Sequence, residues 1–486
     1  MTRLKFPLPL FIALAFCFSV NVTHSRAQTV LSAELQEELS LQILNIVLPI
    51  ITPDYPVRNY KIIYTGQDAF GQPDTLSGLL SIPQTADNPQ LPMLVYHHGT
   101  SSSSTDVSST PGREERGLTN AFCTKGFITI SSDYLGLGVD SLEFHPFVHS
   151  ASEAQSSKDM IIAVRDWLDD QEIAYNDQVF VTGYSQGGHA GAAFHRLLEE
   201  ENDPDLQVTA ASHLSGPYFI SGTMRETVLD TGLITVPGYL INTYVSYNNV
   251  YGLYEDISAI FVPPYLAPID SFDRGEINLG QLNDRLFSLL AMNDTDLPDM
   301  FQDSIVEVLE TNNPSHPIIA ALIDNDLHNW VPQAPTRMVY CTEDEQVPFQ
   351  NTLIADSTMN FLGAPDMESA NGGERDHRGC VIPAALFTLD FFLPFVDVVS
   401  SNETIAAETA QWQISPNPVR SADLIQLDWR GLRPTHYRLI NGQGQQIVAG
   451  PLPGTDQWRL PRLAAGLYSL VLETGNQRKV QRLIVR

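Results

Sequence analysis

The stretch Val179-Phe180-Val181-Thr182-Gly183-Tyr184-Ser185-Gln186-Gly187-Gly188-His189 limits what this chain can fold into more than any other. A β-branched and aromatic run reads as a buried strand, passes without a loop into Gly-x-Ser-x-Gly, and continues as a helix-compatible segment to about Leu198. A strand that turns directly into a helix strains the backbone at the corner. Cβ atoms beside the corner would strike the adjoining strand and helix, so Gly183 and Gly187 are needed there. Ser185 then stands at the mouth of a sheet and at the positive end of a helix, where an oxyanion is stabilised. The pentapeptide alone arises by chance in many chains, and an ordinary glycine-rich turn is the bland alternative. Its placement between this strand and this helix is what makes it specific.

Around this corner the chain alternates. Residues 32–48 carry an apolar stripe of Leu35, Leu39, Ile43 and Val47 behind Ser32, which predicts a capped amphipathic helix. Runs at 57–64 and 75–82, separated by Asp68-Ala69-Phe70-Gly71-Gln72, predict an antiparallel hairpin. A short strand, Leu94-Val95-Tyr96, runs into His97-His98-Gly99-Thr100, and helix, strand and helix follow before Ser185. This order predicts a mostly parallel sheet with helices on both faces. The alternation stops at about 221–331. That is far too long for a loop, so it predicts an inserted cap above the sheet's carboxyl edge. The sheet resumes at Arg337-Met338-Val339-Tyr340-Cys341. Next come a helix to about 362, a polar loop to His377, and a helix from about Val381 to 393.

A serine hydroxyl is a poor nucleophile until a base takes its proton, and the base needs a carboxylate to fix its tautomer. In a strand-corner-helix arrangement the chain order is serine, acid, histidine. Asp344, just past the 337–341 strand, and His377, in Asp376-His377-Arg378-Gly379-Cys380, fit that order. Glu343 and Glu345 compete for the acid. His316 and His328 precede Asp344, and His189 lies on the nucleophile's own helix and reads as structural. The oxyanion donors are the backbone N–H of Gln186 and one from the loop after Tyr96, where Gly99 or Thr100 is best placed; a plain tight strand exit is the competing reading there.

The N-terminus has Arg3 and Lys5, an apolar run from Phe6 to Val20, then Ser25-Arg26-Ala27, which predicts a signal peptide over 1–27. Cys17, with Phe16 before it, does not make a lipidation site. No later stretch reads as a membrane span; the best, 384–399, is broken by Asp390, Pro394 and Asp397. Beyond the leader three cysteines remain. Cys341 and Cys380 bracket the acid and the base and are predicted to be bridged, a link worth roughly 3–4 kcal/mol in the chain-entropy model; Cys123 is a buried spectator. The net charge of −30 excludes a phosphate-binding surface and hence nucleic acid. No Cys-x-x-Cys spacing supports a structural zinc site, and no cofactor is implied.

Past a polar linker at 399–412 the composition changes sign: residues 413–486 hold ten basic and four acidic side chains. Short alternating runs broken by Asn441-Gly442 and Thr474-Gly475 predict a small β-sandwich. Ser415-Pro416-Asn417-Pro418, Gly442-Gln443-Gly444, Gly466-Leu467-Tyr468 and the strand from Lys479 resemble the C-terminal sorting domain of type IX secretion cargo. A carbohydrate-binding or adhesive module is the alternative.

From His97-His98-Gly99-Thr100 through Asp133-Tyr134-Leu135-Gly136-Leu137-Gly138 and the Ser185 corner to Asp344 and His377, the chain resembles the α/β-hydrolase superfamily and, within it, the secretory lipase family. The resemblance covers about 57–398, within a catalytic domain expected over 28–398, and implies a Ser185/Asp344/His377 triad acting on carboxylic esters under a lid. Partners would be a small-molecule or lipid ester, export machinery and a lipid surface touched by the cap, placing the protein at the cell surface or outside after passage through the periplasm. A serine peptidase on the same fold stays open, with Glu255-Asp256 as a candidate amine clamp, as does a non-catalytic binding protein. Tyr239, Tyr251, Phe261, Tyr265 and Leu266 line an acyl tunnel or form the cap's own core.

Overall fold

A computed structural model describes residues 28–141, 144–229, 236–397, 411–430, 433–441, 446–474 and 477–486. The predicted leader at 1–27, most of the linker and the Gly442-Gln443-Gly444 turn lie outside the described residues. The chain enters as strand β1 (Val30–Leu39) and helix α1 (Leu41–Val47), not as one helix over 32–48. β1 pairs antiparallel with β2 (Val57–Gln67), Leu35 opposite Tyr60 and Leu39 opposite Val57. Ladder hydrogen bonds on an open sheet edge override the i, i+4 spacing of the leucines, and Leu35 is left nearly half exposed. Ser40 rather than Ser32 caps the short helix, accepting from the Ile43 N–H at 3.3 Å. β2 and β3 (Pro73–Pro83) form the predicted hairpin.

The parallel part follows: β4 (Leu91–His97), α2 (Glu114–Cys123), β5 (Ile128–Ser132), α3 (Ser150–Asp170), β6 (Tyr175–Tyr184), α4 (Gln186–Glu201) and β7 (Val208–Leu214). After the cap come β8 (Thr336–Tyr340), α11 (Gln350–Leu362), β9 (Met367–Asn371) and α12 (His377–Phe392), where α5 to α10 belong to the cap. The nine strands lie in the order β1-β2-β3-β5-β4-β6-β7-β8-β9, parallel from β5 onward. β9 corrects the loop predicted ahead of His377. Its sequence Met-Glu-Ser-Ala-Asn carries no strand signal, and only pairing with β8 at the sheet edge makes it a strand. Strand alternation builds the two cores. Met93, Val95, Val179 and Val181 face one cluster, with Met160 and Phe194. Leu94, Tyr96 and Phe180 face the other, with Phe127 and Phe392. Each such burial contributes about 1.5–3 kcal/mol.

Between β7 and β8 the chain is helical: a π-turn at Ile220–Met224, then α5 (Arg225–Leu229), α6 (Pro237–Tyr251), α7 (Leu266–Asp273), α8 (Leu279–Asn293), α9 (Asp303–Thr311) and α10 (Pro317–Asp324). It has its own core, including Tyr244, Tyr247, Phe261, Tyr265 and Phe301. The two ends of this insertion are clasped together. The Leu327 N–H donates to the Tyr218 carbonyl at 2.8 Å, Ser221 donates its N–H and hydroxyl to Asp326 at 2.9 and 2.6 Å, and the Phe219 and His328 rings lie 3.8 Å apart.

One helix, His377–Phe395 with its final 3₁₀ turn, is long and apolar enough by composition to cross a membrane, contrary to the sequence reading. One face of it, with Cys380, Ala384, Thr388, Leu389 and Phe392, is buried in the fold, while Ile382, Phe387 and Leu393 are exposed.

The C-terminal region is all β: β10 (Gln411–Ser415), β11 (Leu424–Arg430), β12 (His436–Asn441), β13 (Gln446–Pro451), β14 (Gln457–Arg459), β15 (Gly466–Thr474) and β16 (Gln477–Val485). They form a three-stranded sheet, β10-β11-β14, and a four-stranded sheet, β13-β12-β15-β16. Ile425, Leu427 and Trp458 of the first meet Leu439, Leu470, Leu472 and Leu483 of the second in one core, the predicted sandwich.

Candidate active site

β6 lies between β4 and β7 in the middle of the sheet and ends at Tyr184; α4 begins at Gln186. Ser185 between them has φ 61° and ψ −121°. A non-glycine residue there is strained, and neighbours must over-determine it. They do: the Ser185 N–H donates to Leu214 O at 2.9 Å, and its carbonyl accepts from the Gly188 N–H at 2.8 Å. A Cβ on Gly183 would collide with the Gly187 carbonyl, and one on Gly187 with that of His97. Both glycines are required for the reason read from the sequence.

The chain brings Asp344 and His377 to this corner. Asp344 sits in a tight turn after β8, its Oδ1 accepting from the N–H groups of Gln346 (3.1 Å) and Val347 (2.8 Å). Its Oδ2 lies 2.7 Å from His377 Nδ1, and His377 Nε2 lies 2.8 Å from Ser185 Oγ. A carboxylate only accepts, so Nδ1 carries the proton and Nε2 receives the serine O–H. His377 is the first residue of α12 rather than a loop residue ahead of it, and Asp376 caps that helix by accepting from the Gly379 N–H at 2.6 Å. Its carbonyl accepts from the Tyr184 hydroxyl at 2.5 Å, and its N–H donates to Glu345 Oε2 at 2.9 Å. Burial works against charge on Glu345, but the His377 N–H and the Gln346 side chain outweigh it and hold the carboxyl below its usual range. Glu345 thus grips the backbone of His377, while Asp344 holds its ring. Cys341 and Cys380 are bridged across a separation of 39 residues, and Cys123 is free and buried, both as predicted.

Ser185 opens on a cavity walled by apolar side chains, among them Phe147, Val148, Ile220, Tyr239 and Tyr244, with Thr100 and Gln186 also on its surface. As the first residue of α4, Gln186 has an N–H outside the helical ladder. The Gly99 N–H donates to Glu115 Oε1 at 3.2 Å, while Thr100 borders the cavity beside Ser185. Of the aromatic and aliphatic cap residues singled out, Tyr239 lines the cavity, whereas Tyr251, Phe261, Tyr265 and Leu266 pack in the cap's core.

The rival residues are placed elsewhere. Glu343 is exposed, His316 caps α10, His328 stacks on Phe219, and His189 is buried between Glu153 and the Asn325 carbonyl. Glu255 and Asp256 are exposed, and Asp256 accepts from the Ser258 N–H at 2.8 Å to cap a 3₁₀ turn. Sequence reasoning missed Tyr184, Glu153 and the cavity residues Phe147 and Val148. The last two sit in a loop with no periodic signal. Among the described residues no group of His, Cys, Asp or Glu is arranged to hold a metal.

The mostly parallel sheet flanked by helices matches that of solved hydrolase structures. A candidate hydrolase from Legionella pneumophila superposes with TM-score 0.67 at 25% identity, covering 75% of this chain and 98% of its own. The chain has the α/β-hydrolase fold. The rice cell wall degrading esterase LipA from Xanthomonas oryzae gives TM-score 0.65 at 24% identity over 76% of this chain and 98% of its own. Candida antarctica lipase A gives 0.50 at 16% identity over 72% of this chain and 77% of its own. No family model and no curated protein sequence matches this hydrolase-fold chain.

Proposed function

We propose that this chain is a carboxylic-ester hydrolase acting through an acyl-enzyme on Ser185. The observation that carries the reading is the unbroken line from Asp344 through His377 to Ser185, with gaps of 2.7 and 2.8 Å, ending at an apolar cavity. Ser185 Oγ attacks the ester carbonyl as its proton passes to His377 Nε2. The tetrahedral oxyanion is held by the N–H groups of Gln186 and Thr100. Collapse breaks the bond to the alcohol, which leaves with the proton from His377. Water then attacks the acyl-enzyme with His377 again as base, freeing the acid and Ser185. Asp344 keeps the ring in the required tautomer and faces the imidazolium as it forms. The scheme calls for no cofactor.

The acyl group enters the cavity between corner and cap, and the cap acts as a lid that meets a lipid surface when the ester is carried there. The printed names of the similar structures, an esterase and a lipase, favour esters over peptides. None of the described residues that line the cavity is acidic, which gives a peptidase less support. The catalytic unit spans 28–398 with its cap at about 221–331, and 413–486 is an export address read by type IX machinery, for which the disulfide and the leader motif at 1–27 are the supporting features. The decisive assay sets the protein and Ser185→Ala against p-nitrophenyl esters of increasing acyl length and an aminoacyl amide. Ester hydrolysis lost in the variant is the expected result; amide preference, or hydrolysis that survives Ser185→Ala, refutes the reading.

A further inference from the structure

Behind the corner lies a carboxylate that the scheme above does not use. Glu153, in the first turn of α3, is 1% exposed. Burying it is costly unless its lone pairs are engaged. Its Oε1 accepts from the Val148 N–H at 3.2 Å and from Gln186 Nε2 at 2.8 Å. Its Oε2 lies 2.9 Å from His189 Nδ1, whose Nε2 is 3.0 Å from the Asn325 carbonyl. That carbonyl can only accept, so Nε2 carries a proton, and a second proton sits between Nδ1 and Oε2. The pair is neutral as a whole and tolerates its burial.

Both groups on Oε1 belong to the site. Val148 lines the cavity with φ 55°, a left-handed conformation that a β-branched residue rarely adopts, and its carbonyl accepts from the Tyr247 hydroxyl of α6 at 2.9 Å. It is therefore pinned from two sides, by the core through Glu153 and by the cap through Tyr247. Gln186 spends both amide hydrogens in this network, one on Glu153 and the other on His145 Nε2 at 2.9 Å. His145 Nδ1 donates to Leu135 O at 2.8 Å, which leaves Nε2 as an acceptor, and burial holds this histidine neutral with a pKa of about 4. The Gln186 amide thus has one orientation. Since Gln186 begins α4, fixing its side chain fixes the peptide plane that carries the oxyanion N–H.

We propose that Glu153 is a positioning residue that ties the wall of the acyl cavity to the oxyanion donor, so that one carboxylate oxygen sets both chain-length preference and turnover. This rests on the ester-hydrolase reading. The test measures kcat and KM on p-nitrophenyl acetate, butyrate and octanoate for the wild type, Glu153→Gln and His189→Asn, each normalised by active-site titration. Glu153→Gln is expected to lower kcat about 100-fold for every ester and to shift the octanoate-to-acetate ratio of kcat/KM by at least about fivefold, as Val148 leaves its strained conformation. His189→Asn removes only the partner of the far oxygen and should lower the melting temperature with that ratio unchanged. If Glu153→Gln keeps kcat within about threefold of wild type, or its ester profile parallels that of His189→Asn, the proposal fails. Should Glu153→Gln not fold, Gln186→Met severs the same link while keeping the backbone N–H; kcat about tenfold down at unchanged KM supports the role, and unchanged kcat overturns it. A wild type inert on all three esters overturns the ester reading itself, and this role with it.

Discussion

Replacing both Cys341 and Cys380 by alanine removes the bridge without leaving a buried thiol. The bridge closes a loop over a separation of 39 residues. In the chain-entropy model a loop of that length costs the unfolded state about 13 cal/mol/K, or about 4 kcal/mol at 25 °C. Both sulfurs are fully buried, so a small cavity penalty adds to this figure. Reductant is the wrong tool, because a buried bridge is reached only after unfolding. Urea denaturation of wild type and double variant reports two quantities. The midpoint should fall by the equivalent of about 4 kcal/mol, and the m-value should rise, since an uncrosslinked chain exposes more surface when it unfolds. Turnover should fall less than stability does, because Asp344 and Glu345 still hold His377 by hydrogen bonds of 2.7 and 2.9 Å. A midpoint within about 0.5 kcal/mol of wild type, or an m-value that does not rise, would refute the reasoning.

Three other outcomes follow from the geometry. Asp344→Asn should lower kcat about 10⁴-fold with the fold intact, because an amide stabilises the wrong imidazole tautomer; steady-state kinetics beside a thermal melt checks it. Burial raises Asp326 from 3.8 to about 6 against the lowering effect of Ser221, so its ionisation opposes the fold. Its contribution is complete below about pH 4 and is lost as pH rises through 6. The stability difference between wild type and Asp326→Asn should therefore shift against wild type by about 2–3 kcal/mol across that window, read from denaturation midpoints at pH 4 and 7. Leu240→Trp narrows the cavity and should cut kcat/KM for octanoate at least about tenfold relative to acetate in the same ester series.

The grouping of Ser185, Asp344 and His377 was legible because the proposed chemistry asks for each residue type at a fixed place in the chain order. Ser185, Asp344 and His377 meet within 2.8 Å although 33 and 192 residues separate the bonded pairs. What stayed hidden depends on pairing or on distant contacts. β1 and β9 are strands only because a sheet edge is there to receive them, and their own residues read as helix or loop. That Glu115 accepts from the Gly99 N–H could not be read from the sequence, in which the two are 16 residues apart. Nothing local in the sequence links Glu153 to Gln186 and His189, which become its neighbours only when α3 packs on α4.

The clasp at the base of the cap bears on how such an enzyme diversifies. The insertion leaves and rejoins the sheet one hydrogen bond apart, at Tyr218 and Leu327, so its removal leaves a gap that a short turn can bridge. Corner, acid and base all lie outside the excised segment, whereas Tyr239, Leu240 and Tyr244 of the cavity wall lie within it. Part of the cavity wall is thus carried on a stretch of chain separable from Ser185, Asp344 and His377, and one recombination event across two adjacent points exchanges that part while these three stay in register.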